Sequence, residues 1–390
     1  MSRGRTIFAQ LMEFFPHYEF KCCVDRYHGN HRVRSFTCHD QFLCMAFAQL
    51  TGRESLREIE SCLRVVQSKL YHAGLNGRMT KSTLADANEN RDWRIYADFG
   101  QVMIKRARRL HVNDQFDVKL KSTTYALDST TIDLCLELFP WAKFRRTKAA
   151  VKMHTLLDLR GNIPSFITIT HGKVHDVKFL DDITPEVGSF YIMDRAYNDF
   201  ERLSRFDLNG AYFVVRSKVG MKYRKRSYRA VDKTTGVRSD HTIMLTGTTT
   251  QKTYTRELRR VSFYDEENKR RLVFLTNNFR LAPFTIAKLY KARWHVELFF
   301  KWIKQHLRIK AFYGTSENAV KTQIWIAISV YCLVAIVRKE LRLEKHSLYE
   351  ILQILDVMIF EKTPLDIVFR DQRKIIEKTD AYNQLLLLDS

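Results

Sequence analysis

The sequence predicts an α/β protein in three parts: an all-α N-terminal region, a mixed five-stranded sheet with helices that carries a β-rich insertion, and C-terminal helices. Three observations lead there. Hydrophobic residues make up 45% of 390, enough for two or three domains with substantial cores. The hydrophobic period changes from helical to alternating near residue 120 and returns to helical beyond Pro283. The charge is +22, from 65 Lys plus Arg against 43 Asp plus Glu. In a chain with a real core such an excess points to a polyanionic partner, nucleic acid first.

Residues 1–115 are expected to form a helical domain. Residues 42–50 are an apolar segment that stops near Gly52. Ser55 and Glu58 have the spacing of a capping box, ahead of a helix with Leu56, Ile59 and Leu63 on one face. A short polar helix starts near Thr80 or Ser82. Helix, turn and short polar helix suit a DNA-reading module, and equally a small bundle of another purpose. A polar connection follows at 115–122.

Strands then begin. Residues 123–134 carry Asp128 in ALDSTTIDL, and 150–159 and 163–170 are joined by a tight turn at Arg160, Gly161 and Asn162. A short helix is expected over 176–183. The fourth strand is 190–193, with Asp194 at its end. A helix at 200–206 leads to a fifth strand, 211–215. The insertion, 216–275, holds 16 Lys or Arg against 6 Asp or Glu, a net +10 of the chain's +22. Residues 261–264 and 271–275 flank DEENK and read as a hairpin. Tyr223, Tyr228, Tyr254 and Tyr264 among these cations suit a nucleic-acid backbone. The same tyrosines would also serve to pack the base of a solvated β excursion.

Residues 290–304, YKARWHVELFFKWIK, read as one helix with two faces. Tyr290, Arg293, Glu297 and Lys304 fall within roughly 60° of arc. Ala292, Val296, Phe299 and Ile303 form a second, packing stripe. The remainder is helical. Its most apolar run, 324–337, has 14 residues, too short to span a bilayer, and reads as a buried helix. No secretory signal is read at the N-terminus. Seven cysteines without a CxxC predict free thiols in a reducing compartment, and the N-terminal Cys and His spacings match no zinc pattern. No GxxxxGK[ST] loop occurs, so no nucleotide cofactor is implied.

Three carboxylates stand out by position: Asp128 on the first strand, Asp194 at the end of the fourth, and Glu297 on the helix after the insertion. Carried by neighbouring strands and a helix packed over them, they can converge on hard cations. Clustered alone they would repel and raise one another's pKa, whereas bridging Mg²⁺ keeps them ionised and makes a two-metal site.

The spacing Tyr290-x2-Arg293-x3-Glu297-x6-Lys304 resembles the Y-R-E-K signature of bacterial insertion-sequence family 4 transposases. LDST at 127–130, IMDR at 192–195 and FVVRSK at 213–218 resemble the same family. The resemblance spans about 120–340, and the first hundred residues look like an N-terminal domain of uncharacterised role found before such cores. It implies a ribonuclease-H-like catalytic domain over 120–345, a helical, DNA-binding N-terminal domain over 1–115 and a C-terminal helical region over 346–390. Asp128, Asp194 and Glu297 would be the catalytic, metal-binding triad for two Mg²⁺, with Mn²⁺ able to substitute. Tyr290, Arg293 and Lys304 would hold phosphates, and Arg195, Arg216 and Lys218 would contact DNA. The implied reaction is hydrolysis that frees a 3′-OH at each element end, then strand transfer. The implied partners are double-stranded DNA, as terminal inverted repeats and target, and a second copy of the chain; the setting is the bacterial cytoplasm, at the nucleoid, with no membrane. One departure is that the position where some relatives carry a base-stacking tryptophan is Leu272, leaving Tyr264 as a substitute. A nuclease without strand transfer and a catalytically silent DNA-binding regulator are the alternatives.

Overall fold

Side-chain caps mark the starts of several N-terminal helices. The computed structural model describes residues 4–75, 79–116, 118–306 and 312–369. The chain opens with α1 (Ile7–Met12), α2 (His17–Arg26), α3 (Cys38–Leu50), α4 (Leu56–Val65), α5 (Gln67–Leu70), α6 (Lys81–Asn90) and α7 (Arg94–Leu110). Thr37 and Asp40 form a reciprocal capping box on α3. At α4 the Ser55 hydroxyl accepts from Glu58 N, but the Glu58 carboxylate reaches back to Glu54 N rather than to Ser55. Thr80 caps α6. Phe15, Phe20 and Phe42 pack around Phe99, with Phe15 and Phe20 ring centroids 4.7 and 4.9 Å from it.

Next comes the sheet. Its strands are β1 (Thr124–Leu134), β2 (Lys143–Arg145), β3 (Lys148–Asp158), β4 (Ile163–His171) and β5 (Phe190–Met193). After α8 (Phe200–Leu208) follow β6 (Tyr212–Arg216), β7 (Tyr223–Arg229) and β8 (Val237–Leu245). The short α9 (Thr250–Thr253) precedes β9 (Leu258–Asp265) and β10 (Arg270–Thr276). Gly161 and Asn162 both have positive φ in the β3–β4 turn, and a Cβ on Gly161 would lie 2.3 Å from the His111 ring. The expected helix at 176–183 is a 3₁₀ helix, Asp176–Asp182.

Strands β4, β3, β1, β5 and β6 are consecutive neighbours, antiparallel on the β3 side and parallel from β1 to β6. These are the five strands expected, in a mixed sheet. The insertion joins the same sheet: β9 and β10 form the expected hairpin, and β10 pairs antiparallel with β6, extending the sheet through β9 and β8 to β7. One core spans both parts: Tyr125, Leu127, Tyr191, Met193 and Phe213 share it with Ile243, Leu245, Tyr254 and Leu258.

After β10 come α10 (Pro283–Ala292), α11 (Trp294–Lys301) and a π-helical turn, Trp302–His306. The single helix expected over 290–304 is therefore interrupted. At Arg293 the bonding tightens to i−3, with Arg293 N to Tyr290 O at 3.2 Å and Val296 N to Arg293 O at 3.1 Å.

The chain ends in α12 (Glu317–Glu340), α13 (Leu348–Met358) and α14 (Leu365–Val368); residues 370–390 of the expected C-terminal region lie outside the described residues. Two compact units result: Met1–Met103 with Gln305–Ser390, and Ile104–Lys304. Helix α12 packs with α3, α6 and α13, and Gln10 beside α14 bonds Thr363 O and Leu365 N. The apolar run does form a buried helix, but one of 24 residues, long and apolar enough by length and composition alone to cross a membrane. Its buried stretch from Ala319 to Val337 lies inside the first unit.

Candidate active site

Side chains alternate across a strand, and this sorts the sheet into two faces. Tyr125, Leu127, Tyr191, Met193, Phe213 and Val215 enter the core described above. Asp128, Asp194 and Arg216 therefore project from the opposite face. Leu127 pairs with Met193 and Met193 with Val215, so these three residues leave adjacent parallel strands side by side.

Helices α10 and α11 supply the rest. Pro283 occupies the first turn of α10, where its missing N–H costs nothing. The Tyr290 hydroxyl donates to Asp194 Oδ1 at 3.1 Å. The Arg293 guanidinium forks: Nη1 donates to Asp128, and Nη2 to Glu297 Oε1 at 2.6 Å. The guanidinium also lies 5.8 Å from the Tyr290 ring centroid. Lys304 Nζ donates to Thr131 O at 2.9 Å, farther along β1. One linked cluster thus contains Asp128, Asp194, Glu297, Tyr290 and Arg293.

The cluster is partly closed to water: side-chain exposure is 15% for Arg293, 21% for Asp128 and 34% for Glu297. Burial pushes the Asp128 pKa up to about 6, against the pull of Arg293 and the Ser129 N–H, and Glu297 and Asp194 push in the same direction as burial. Burial, then Asp194, raise the Tyr290 phenol to about 12, while Arg293 and Arg216 oppose them. Burial works against the Arg293 charge, but Asp128, Tyr290 and Glu297 outweigh it and raise its pKa. Among the described residues, no three His, Cys, Asp or Glu side chains are grouped to hold an ion. Asp128 and Glu297 instead share the guanidinium between them. Their oxygens, with those of Asp194, are nevertheless of the kind hard divalent cations take.

Of the other expected DNA contacts, Arg195 is exposed in the 3₁₀ turn Arg195–Tyr197 just after Asp194. Lys218 donates to Asn198 O at 2.9 Å, tying the start of the insertion to that turn. Leu272 is buried and lines a cleft of about 830 Å³ with Phe263, Phe274, Phe284, Tyr290 and Trp294. Tyr264 carries Arg238 over its ring, 5.3 Å from the centroid. Tyr254 is buried and donates to Asp207 at 3.0 Å, a packing role, whereas Tyr228 is exposed. Sequence reading missed a polar group on the other face of β1: Ser129, Lys152, His154 and Asp176. Ser129 figured there only within LDST, and Asp176 only as the start of an expected helix.

Residues 119–333 match the family described as a transposase DDE domain, and residues 3–76 match a domain of unknown function, DUF4372. A protein of Geobacillus stearothermophilus, named as a transposase for insertion sequence element IS5377, is 33% identical over 53% of this chain and 54% of its own length. The chain thus spans about half the length of that relative. A protein of Sinorhizobium fredii named as transposase y4zB is 32% identical over 65% of this chain and 70% of its own. A piggyBac transposase, solved by cryo-electron microscopy as a synaptic complex with hairpin DNA, aligns over 94% of this chain and 82% of its own, with a TM-score of 0.47 and 9% identity. On the family match over more than half its length, together with the Sinorhizobium relative, the chain belongs to the DDE-domain transposase family.

Proposed function

We propose that this chain binds the ends of its own insertion sequence and catalyses metal-dependent strand cleavage and strand transfer, the chemistry of cut-and-paste transposition. One observation carries the reading: Asp128, Asp194 and Glu297, distant in sequence, meet in a single cluster with Tyr290 and Arg293.

The family uses divalent metal ions. In our reading Asp128, Asp194 and Glu297 hold two Mg²⁺, with Mn²⁺ as a substitute. When bound, such ions supply an activated water and charge neutralisation at the leaving 3′ oxygen. The chain's own residues do the rest. Arg293 exchanges its carboxylate partners for the scissile phosphate, for which its two-pronged donor is well shaped. Tyr290 and Lys304 hold flanking phosphates, and Arg195, Arg216 and Lys218 steady the backbone. Freed by hydrolysis, the 3′-OH of the element end then attacks a second phosphodiester, and the bond broken there releases a new 3′-OH. No nucleotide is consumed. Two ends must meet, so the working form is a homodimer on double-stranded terminal repeats and target DNA. Its setting is the bacterial nucleoid, and the N-terminal helical unit contributes to DNA binding.

The test is a labelled duplex carrying the inverted repeat that brackets the gene, incubated with protein and Mg²⁺. A nick at the outermost base of the element, abolished by Asp194→Ala and Glu297→Ala with end binding kept, is expected. Cutting without regard to the repeat would identify a general nuclease. Tight binding without cleavage in either Mg²⁺ or Mn²⁺ would identify a regulator.

A further inference from the structure

The polar group behind Asp128 has no part in the steps above. Ser129 points to the opposite face of β1 from Asp128, and its hydroxyl donates to Asp176 Oδ1 at 2.6 Å. Lys152 on β3 holds the same oxygen at 2.9 Å and donates to Val174 O at 2.8 Å, with only 12% of its side chain exposed. His154 sits directly across the ladder from Ser129. Its Nε2 meets Thr170 Oγ1 at 3.0 Å, its ring stacks on Phe179, and its Nδ1 lies 4.0 Å from Asp176. The Ser129 backbone N–H, for its part, donates to Asp128 Oδ1 at 2.8 Å. One residue is therefore gripped from both faces of the sheet. Its side chain is fixed by Asp176, and its peptide N–H fixes the Asp128 carboxylate.

We propose that Asp176, braced by Lys152, is a positioning residue that sets the orientation of the Asp128 carboxylate for metal through Ser129. The proposal rests on the reading of Asp128 as a metal ligand. Burial disfavours charge on Asp176, but the Ser129 hydroxyl and Lys152 outweigh it and hold the carboxyl below its usual range. A plain structural ion pair would need only Lys152. Here the shared oxygen also takes the hydroxyl of the residue whose N–H orients the site. Partners that orient a ligand without touching the metal typically change metal affinity or activity by about 10- to 100-fold when removed.

The experiment measures Mn²⁺ binding to the full chain by electron paramagnetic resonance, alongside the Mn²⁺ dependence of end cleavage. Ser129→Ala and Asp176→Ala should each weaken Mn²⁺ binding by about 10-fold or more. Asp176→Asn, whose amide oxygen still accepts from Ser129, should lose less. Cleavage by these variants should recover at high Mn²⁺, so the metal midpoint moves and the maximal rate does not. Ser129→Ala spares the Asp176–Lys152 pair and guards against a variant that merely fails to fold. If Ser129→Ala and Asp176→Ala bind Mn²⁺ like the parent and only melt earlier, Asp176 is structural and the proposal falls. If Asp194→Ala also leaves Mn²⁺ binding intact, the carboxylate site itself is misassigned and the proposal goes with it.

Discussion

Replacing Asp128 with Asn should stabilise the chelator-treated protein at neutral pH while it disables the site. Burial raises the Asp128 pKa from 3.8 to about 6, a net shift that already includes the attraction of Arg293. Between those values the folded state keeps a proton that the unfolded chain has lost. Stability from this group therefore falls as pH rises through that window, and above it the penalty is complete. A shift of about two units corresponds to roughly 3 kcal/mol. Water reaches 21% of the side chain, so about 1–3 kcal/mol is the working range. Ser129 N–H and Arg293 donate to different oxygens of Asp128, so the single amide oxygen keeps one of these two bonds, and the gain falls toward the low end of that range. Urea denaturation in chelator, at pH 7.5 and at pH 4, measures the difference between variant and parent. We expect the variant to be more stable at pH 7.5 and nearly equal at pH 4. A variant that is less stable at pH 7.5, or a difference that does not change with pH, would refute the reasoning.

Burial lowers the His154 pKa from 6.5 to about 4, so the folded state stays neutral where the unfolded chain charges. Stability should then be lost as pH falls from 6.5 toward 4, by up to about 3 kcal/mol, and His154→Gln should flatten that part of a urea-derived profile; an unchanged slope would exonerate the group. Arg259 and Asp240 are 2% and 1% exposed, paired at 2.7 Å. Arg259→Met should cost about 3–5 kcal/mol in urea denaturation, and the joint change with Asp240→Leu should recover most of it; equal costs would show that the stranded charge is not the cause. Tyr290→Phe removes the 3.1 Å bond to Asp194. Stability should change by about 1 kcal/mol or less while end cleavage slows, and unaltered cleavage would take Tyr290 out of the site.

Local signals carried much of the fold. Strand β5 was readable residue for residue, because four apolar residues end abruptly at Asp194. The carboxylates could be ordered because chain order and strand period were both visible. The interruption at Arg293 was not, since no Gly or Pro marks it and the apolar stripe runs on unbroken; only the i−3 bonding discloses it. The junction of β10 with β6 is a pairing across more than fifty residues of chain, and no local pattern encodes it. Asp176 looks in sequence like Asp181 and Asp182 nearby, and only folding brings it beneath Ser129. Likewise, Tyr254 and Tyr228 occupy similar basic contexts, yet one is buried and the other 82% exposed. The partner of α12 was hidden for the same reason: an all-round apolar helix announces burial but not its neighbours.

The ladder from β5 through β6, β10, β9 and β8 to β7 has a mechanical meaning. Strand β7, with Arg224, Lys225 and Arg226 exposed, forms its rim. A pull on that rim passes along successive rows of hydrogen bonds to the strand that ends just before Asp194. Rim and carboxylates should therefore exchange amide hydrogens as one cooperative unit and unfold under force in one event. Substitutions in the buried positions of the insertion, such as Ile243 or Leu258, would be felt at the end of the sheet that carries Asp128 and Asp194 as a change in stiffness rather than a loss of contact.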